Sequence, residues 1–163
     1  MSRSGQRLAL RAIVHTVGKV REAGWETKAA SEYTKRLADG VPAVHVRTTF
    51  YQTNEILARE VAGLGPPLIV LDQGGTQISS AEFEMLLFRR LFRESPRISF
   101  VIGGAEGLPG PLRTSSVGCE RLSLSALTFP HRVARVLLLE QVFRAREMYA
   151  GTGYHDGIAR TDG

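Results

Sequence analysis

The chain has little cysteine and no long apolar run, and both absences exclude classes of protein. Cys119 is the single cysteine among 163 residues, so no intrachain disulfide or CxxC redox or metal motif can form. No apolar run approaches the roughly 20 residues of a membrane-spanning helix. The apolar patch near the N-terminus is too short for the core of a signal peptide. We therefore expect one cytoplasmic domain covering residues 1–163.

The usual sequence signatures of cofactor and metal sites are also missing. The glycine segment 101–107 (VIGGAEG) lacks the G-x-G-x-x-G spacing of a dinucleotide site, and no Gly-Lys-Ser/Thr follows it to form a P-loop. No HxxxH pair, paired metal carboxylates or Ser-His-Asp constellation is legible. The sequence therefore gives no support to a metal site or a hydrolase, and we expect no bound metal.

Lysine is scarce, although the chain is basic. The net charge is +5, from 21 basic and 16 acidic side chains, and all but three of the cations are arginines. Arginine suits bidentate contacts with phosphate, but genomic base composition can produce the same bias. The excess of cations lies in residues 1–40 and 121–163. Such a charge is compatible with a nucleic-acid partner.

What is present is a regular alternation of strand and helix patterns. Strand patterns occupy residues 8–14, 43–49, 68–71, 98–102 and 121–124. Helix patterns occupy residues 25–38, 54–62, 79–92 and 131–149, with one short helical turn expected within 108–118 and a flexible tail at 151–163. This alternation predicts an α/β fold in which helices sandwich a mainly parallel sheet.

Three loops follow the carboxyl ends of predicted strands, after Leu71, Ile102 and Leu124. Ligands of open α/β folds bind at this edge of the sheet. The loop after Ile102 is rich in glycine and would let main-chain atoms approach a ligand, although a plain tight turn fits the local pattern too. The loop after Leu124 has small and hydroxyl residues before Pro130 starts the longest helix. Together the loops predict one pocket without naming its ligand.

The last helix and the tail hold the candidate polar groups. His131 follows Pro130, where the helix dipole disfavours a charged imidazole, so it could accept a hydrogen bond, orient a ligand or simply pack. Tyr154 and His155 could supply polar groups to a pocket. Leu138 and Leu139 widen the apolar stripe of the helix, which fits burial against a second subunit or a deep core within the chain.

Three segments carry a resemblance to a known family. They are VIGGAEG at 101–107, LSLSALTFPHRVARVLLLEQVFRA at 122–145, and GYH at 153–155. Weaker agreement extends upstream to Gly18-Lys19, Tyr33-x-x-Arg36-Leu37 and Ile69–Asp72. These residues resemble the RlmH family of SPOUT-class methyltransferases, which modify N3 of a pseudouridine in bacterial 23S ribosomal RNA, and the resemblance covers nearly the whole chain.

The resemblance implies a SPOUT fold with a C-terminal trefoil knot, a homodimer, and S-adenosyl-L-methionine as the cofactor. By position, it places the cofactor against Leu71, Gly103, Gly104, Leu124, Ser125, Ala126, Leu127, Thr128 and Phe129. It implies 23S ribosomal RNA within the ribosome as the partner, with pseudouridine 1915 as the family's target.

The resemblance also suggests four catalytic residues. The N3 proton of the base must leave, and Tyr154 and His155 are the candidate polar groups near it. His131 and Arg135 are candidates for positioning the base or its phosphate. We expect the target nucleotide to be splayed or flipped toward the cofactor.

Two departures from the family leave the substrate open. The lysine-rich stretch that follows the second strand in the family is shortened and nearly neutral here, at residues 47–63. The chain also continues beyond Tyr154-His155 with Asp156, and a cation, Arg160, follows later. A catalytically degenerate relative that binds RNA or ribosomes, or a SPOUT methyltransferase acting on another RNA, would carry the same features.

Overall fold

The computed structural model describes residues 9–19, 24–104, 107–108 and 119–154. The strands are β1 (Leu10–Val17), β2 (Val44–Tyr51), β3 (Leu68–Gln77), β4 (Arg97–Ile102) and β5 (Cys119–Ser123). The helices are α1 (Trp25–Asp39), α2 (Asn54–Ala62), α3 (Ser80–Glu84), a π-helical segment (Met85–Leu91), α4 (Phe92–Glu94) and α5 (His131–Ala150). The alternation confirms the predicted α/β class.

The five strands that the structure describes form one parallel sheet in the order β2-β1-β4-β3-β5. Because the strands are parallel, their carboxyl ends meet at one edge. The segments that follow Leu71 of β3, Ile102 of β4 and Ser123 of β5 therefore lie side by side. The prediction of a mainly parallel sheet is confirmed, and the edge that holds its three candidate loops is continuous.

Helices cover both faces of the sheet, as predicted, but unequally. On one face α1, α5 and the helical stretch from α3 pack against strand residues that include Ile69 and Leu71. On the other face α2 packs against Leu68 and Val70. Consecutive residues of β3 therefore point into different cores, as the continuous apolar run of this strand predicts. Each such side chain contributes about 1.5–3 kcal/mol when it is fully buried.

The prediction that the third strand ends at Leu71 is wrong. Leu71 and Thr76 both pair with Leu122, so the residues between them leave the ladder as a bulge and the strand resumes through Gln77. A Cβ at Gly75 would lie 2.7 Å from the carbonyl carbon of Leu122, so glycine permits the close approach of β5. Gly74 and Gly75 have no side chains that could alternate between the two faces of the sheet. The sequence pattern therefore does not indicate that β3 continues beyond them.

The helical stretch after β3 begins as predicted but changes its geometry. The capping box is present: Glu82 N donates to Ser79 Oγ at 3.1 Å, and Ser79 N donates to Glu82 Oε2 at 2.7 Å. After α3 the chain becomes π-helical and then ends with α4, two residues beyond the predicted end at Phe92. The sequence does not predict the π-helical segment, because its apolar residues also fit the spacing expected of one face of an α-helix.

The apolar stripe of α5 packs within its own chain. Leu138 is 0% exposed and Leu139 is 1% exposed, and both lie in the larger core cluster. Half-buried Val133, Val136 and Leu137 remain on the helix surface. Among the described helices, none is both long and apolar enough to cross a bilayer. The predicted helical turn within 108–118 and most of the predicted flexible tail lie outside the described residues.

Candidate functional site

A cleft of about 790 Å³ opens at the bulge of β3, beside the ends of β4 and β5. This volume is within the range of about 300–1,000 Å³ that is typical of small-molecule sites. Eight of the nine residues predicted to meet the cofactor line it: Leu71, Gly103, Gly104, Leu124, Ser125, Leu127, Thr128 and Phe129. The ninth, Ala126, is not a lining residue, and its carbonyl accepts a hydrogen bond from Gln73 Nε2 at 3.4 Å. The three loops thus converge on one hollow.

The glycine loop after β4 is held from outside by Asn54, the first residue of α2. Gly104 N donates to Asn54 Oδ1 at 3.0 Å, and Asn54 Nδ2 donates to the carbonyl of Gly107 at 3.0 Å. Gly107 N also donates to the carbonyl of Gly104 at 2.9 Å, which closes the loop on itself. A Cβ at Gly103 would lie 2.7 Å from the carbonyl oxygen of Gly107, so position 103 has no room for a side chain.

Sequence reasoning missed Asn54 as a functional residue. It lies 50 positions before Gly104, and the sequence places it only as the residue after the helix cap Thr53. A polar residue there is typical of a helix start, so its side chain carried no separate signal. Only the fold, which brings the start of α2 to the loop after β4, reveals that the Asn54 amide holds this loop.

The loop after β5 is fixed by its own hydroxyl groups. Ser123 Oγ donates to the carbonyl of Ser125 at 2.7 Å, and Leu127 N donates to Ser125 Oγ at 3.0 Å. These bonds use the polar side chains to shape the loop, while Leu124 and Phe129 line the cleft as apolar groups. Leu127, 70% exposed, lies at the rim.

The lining of the cleft is mostly apolar and carries little net charge. Asp72 lines it, but its carboxylate is neutralised by an ion pair with Arg121 of β5, and none of the lining residues that the structure describes is a lysine or an arginine. S-adenosylmethionine combines an aromatic adenine base with a methionine end that carries an ammonium group, a carboxylate and a cationic sulfonium. Apolar walls, exposed main chain at the glycines and the absence of cations from the lining therefore fit this cofactor.

His131 lines both this cleft and a second, smaller cavity of about 20 Å³. The pKa of His131 lies below its ordinary value, because burial disfavours the charged ring and Arg132 and Arg135 repel a further proton. Glu26 acts in the opposite direction but more weakly. A neutral imidazole at pH 7 therefore borders the cleft, in agreement with the sequence argument about the helix dipole.

Arg135 lies in the small cavity and does not line the cleft. Its side chain is buried, with 7% exposure, and its guanidinium carbon lies 5.1 Å from the ring centroid of Phe50. Burial lowers the pKa of this guanidinium below its ordinary value. Its Nε has no hydrogen-bond partner within the described part of the chain.

Tyr154 is placed at the other end of α5 and is not among the residues that line the cleft. Its ring meets Phe143 edge-on at 5.0 Å, and the Arg144 guanidinium lies 5.2 Å from its centroid. The structure therefore brings His131 to the cleft and Arg135 beside it, but does not bring Tyr154 there within one chain. His155 lies outside the described residues.

In the described ranges no group of three or more potential metal ligands occurs.

Curated relatives of high coverage share one name, Ribosomal RNA large subunit methyltransferase H. One from Prochlorococcus marinus is 37% identical over 139 residues, which is 85% of this chain and 92% of the relative. One from Rhodopseudomonas palustris is 35% identical over 161 residues, with 90% of this chain and 99% of the relative covered. One from a Synechococcus strain is 39% identical over 140 residues, with 85% and 92% covered.

Two further comparisons are with a solved structure and with a family model. A solved structure of a Legionella pneumophila methyltransferase with bound SAM matches at 16% identity and a TM-score of 0.41, over 84% of this chain and 66% of that one. The model of a family described as predicted SPOUT methyltransferases matches residues 10–155. The family model and the curated relatives together show that the chain belongs to the SPOUT methyltransferase family.

Proposed function

We propose that this protein methylates N3 of a pseudouridine in 23S ribosomal RNA, using S-adenosyl-L-methionine. The observation that carries the proposal is that the β3 bulge and the loops after β4 and β5 converge on one cleft, which is lined by eight of the nine residues expected to meet the cofactor. The names of the curated relatives support ribosomal RNA as the substrate. The target is pseudouridine 1915, and the protein acts in the cytoplasm on the assembled ribosome.

The cofactor, when bound, supplies a methyl group that is already activated on its sulfonium. The protein's part is to hold and orient. Leu71, the turn at Gly103 and Gly104, and the loop from Leu124 to Phe129 bind the cofactor, and the apolar walls exclude water from the transfer. Asn54 keeps the glycine turn closed, so the main chain is already in its binding geometry.

The remaining catalytic residues act on the target base. His131, neutral beside the cleft, accepts a hydrogen bond from the base, while Arg135 positions the base or its phosphate. Tyr154 and His155 serve the loss of the N3 proton. Since Tyr154 packs on Phe143 away from its own cleft, the tail of one subunit completes the cleft of its partner in a homodimer. The C-terminal trefoil knot of the family belongs to the same proposal.

A methylation assay with ribosomes tests this function. The wild-type chain and a variant truncated before Tyr154 are incubated with ribosomes and S-adenosylmethionine, and N3-methylpseudouridine is counted by mass spectrometry of nucleosides. The truncated variant should lose about a hundredfold or more of the rate, the range of general-base contributions, with cofactor affinity unchanged. Ribosomes that the wild type leaves unmodified, with an unchanged nucleoside profile in a deletion strain, would contradict the proposal.

A second candidate function is binding of RNA or ribosomes without catalysis. It is favoured by residues 47–63, where two arginines are balanced by two glutamates, so the segment adds no net charge for RNA. Calorimetric titration with S-adenosylmethionine separates the two functions, because a protein without cofactor affinity cannot be the enzyme. A methyltransferase acting on another RNA would bind the cofactor and leave ribosomes unmodified.

A further inference from the structure

The small cavity beside the cleft carries an excess of positive charge. Lys19, Arg132 and Arg135 line it together with one acid, Glu26, which is 4% exposed. Glu26 Oε1 lies 3.5 Å from Arg132 Nη1, so one of the three cations is partly neutralised inside the protein. With His131 neutral, the lining residues that the structure describes keep a net charge of about two positive units, which an anion could balance.

Two helices begin at this cavity, and neither has a side-chain cap. Glu26 lies in the first turn of α1, and His131 and Arg132 open α5. The caps are Gly24 and Pro130, whose side chains make no capping bond. The positive ends of two helix dipoles, of 15 and 20 residues, therefore add to the charge of the side chains.

Arg135 gives an independent indication that a ligand belongs there. Its side chain is more than nine-tenths buried, lines the cavity, and leaves Nε without a partner in the described chain. A buried donor of this kind normally has an acceptor. The cavity volume of about 20 Å³ has room for one water-sized atom, and a phosphate oxygen has about that size.

We propose that this cavity is a phosphate subsite, which takes one non-bridging oxygen of an RNA phosphodiester. The rest of the phosphate lies at the surface beside Lys19, which is exposed. Arg135 donates from inside, and Glu26 acts as a positioning residue that holds Arg132 at the rim. The inference rests on the proposed function, because the phosphate belongs to the RNA whose base enters the adjacent cleft.

The location of the subsite beside the cleft indicates which phosphate of the RNA it would bind. His131 borders both hollows, so a phosphate bound in the cavity is separated by one side chain from the cofactor cleft. Anchoring a phosphate there would fix the backbone of the target nucleotide while its base turns toward the cleft. The alternative anion is the carboxylate of S-adenosylmethionine, and the experiment below separates the two.

The test compares Lys19→Gln with Lys35→Gln, which removes the same charge from an exposed lysine on α1 that does not line the cavity. Full-length proteins are assayed for methylation of ribosomes, for S-adenosylmethionine affinity by calorimetry, and for binding of a single-stranded ribosomal RNA fragment at increasing salt. Arg135→Met, which removes the buried donor, is the second variant. Circular dichroism verifies that each variant is folded.

Lys19→Gln should raise the KM for ribosomes about three- to tenfold and leave the affinity for S-adenosylmethionine unchanged. In a plot of the logarithm of the RNA-binding constant against the logarithm of the salt concentration, the slope should become shallower by up to about 0.7. Arg135→Met should do the same, and Lys35→Gln should match the wild type. Unchanged KM and salt slope in both cavity variants would overturn the inference, as would an equal loss of cofactor affinity, which assigns the cavity to the cofactor carboxylate. If the salt slope changes but the wild type methylates no ribosomes, only the proposed function fails.

Discussion

The cleft at the strand ends and the small cavity beside it share His131 as a wall but are built from different groups. The cleft is shaped by main chain and apolar side chains, and its described lining has no lysine or arginine. The cavity is lined by three cations at two uncapped helix starts. Cations favour an anionic group such as an RNA phosphate, and the described lining of the cleft has no such cations. The comparison therefore predicts that charge distinguishes the ligand of the cavity from the ligand of the cleft.

The largest expected effect is in the cleft, from Gly103→Val. A Cβ alone would lie 2.7 Å from the carbonyl oxygen of Gly107, so the turn must open and its geometry is lost. Overpacking of this kind costs about 1–3 kcal/mol, and we expect S-adenosylmethionine to bind about a hundredfold more weakly by calorimetry. Gly65→Val is the control, since no atom lies within 4 Å of a Cβ there. Equal affinities in the two variants would mean that the glycine turn does not hold the cofactor.

Asn54→Ala should weaken cofactor binding in the cleft by a smaller factor. Two hydrogen bonds to the glycine turn disappear, each worth about 0.5–1.5 kcal/mol. The Kd for the cofactor should rise about tenfold, and Asn54→Asp, which keeps the acceptor for Gly104 N, should recover part of it. Gln52→Ala, at an exposed residue just before α2, serves as the control. An Asn54→Ala protein with wild-type cofactor affinity contradicts the role given to this amide.

On the cavity side, Arg135→Met should make the free protein more stable. The buried guanidinium has an unpaired Nε, and a thioether of similar length removes that penalty while losing the contact with Phe50. The net gain in the free energy of unfolding should be on the order of 0.5–1 kcal/mol, measured by urea denaturation without RNA. A clear loss of stability would make Arg135 a structural residue and remove the contrast between the two hollows.

The sequence predicted the parts of the site that depend on local pattern. The continuous apolar run of β3, the capping box at Ser79 and the proline before α5 each give one unambiguous local signal, and the structure has each element. Parallel strands then place the candidate loops at one edge, so chain order and strand direction predict a pocket there. The nine residues expected to meet the cofactor come from the family resemblance, and eight of them line the cleft.

What the sequence could not predict depends on contacts between distant segments. Asn54 meets the glycine turn across 50 residues, and Lys19 and Glu26 meet Arg135 only when α1 and α5 begin side by side. The bulge in β3 depends on β5 approaching Gly75, which no single strand pattern records. Such sites are created by packing, and their residues look ordinary in their own segments.

The smallest expected effect concerns pH and two histidines, His131 between the hollows and His15, which lines neither. His15 Nδ1 lies 2.7 Å from the Tyr51 hydroxyl, and burial, with a smaller contribution from Arg97, lowers the pKa of His15. The unfolded chain takes up protons near pH 6.5, which the folded chain resists, so the free energy of unfolding should fall as pH falls through about 6.5 and level off below the folded pKa. The loss is about 1.4 kcal/mol for each unit of pKa difference.

Urea denaturation at about pH 7.5 and about pH 5.5 measures this loss, and His15→Gln and His131→Gln should each reduce it. The two variants should differ in their effect on activity. His131→Gln should also change the pH dependence of ribosome methylation, whereas His15→Gln should leave that profile unchanged. Identical activity profiles for both variants would show that His131 has no special place between the cleft and the cavity.

The most direct test of the division between the two hollows is saturation kinetics of ribosome methylation for Asn54→Ala and Lys19→Gln, with each substrate varied in turn. Asn54→Ala should raise the KM for S-adenosylmethionine and leave that for ribosomes unchanged, while Lys19→Gln should do the reverse. If both variants raise both constants by the same factor, the two hollows are one site and the separation of cofactor and RNA by charge is wrong.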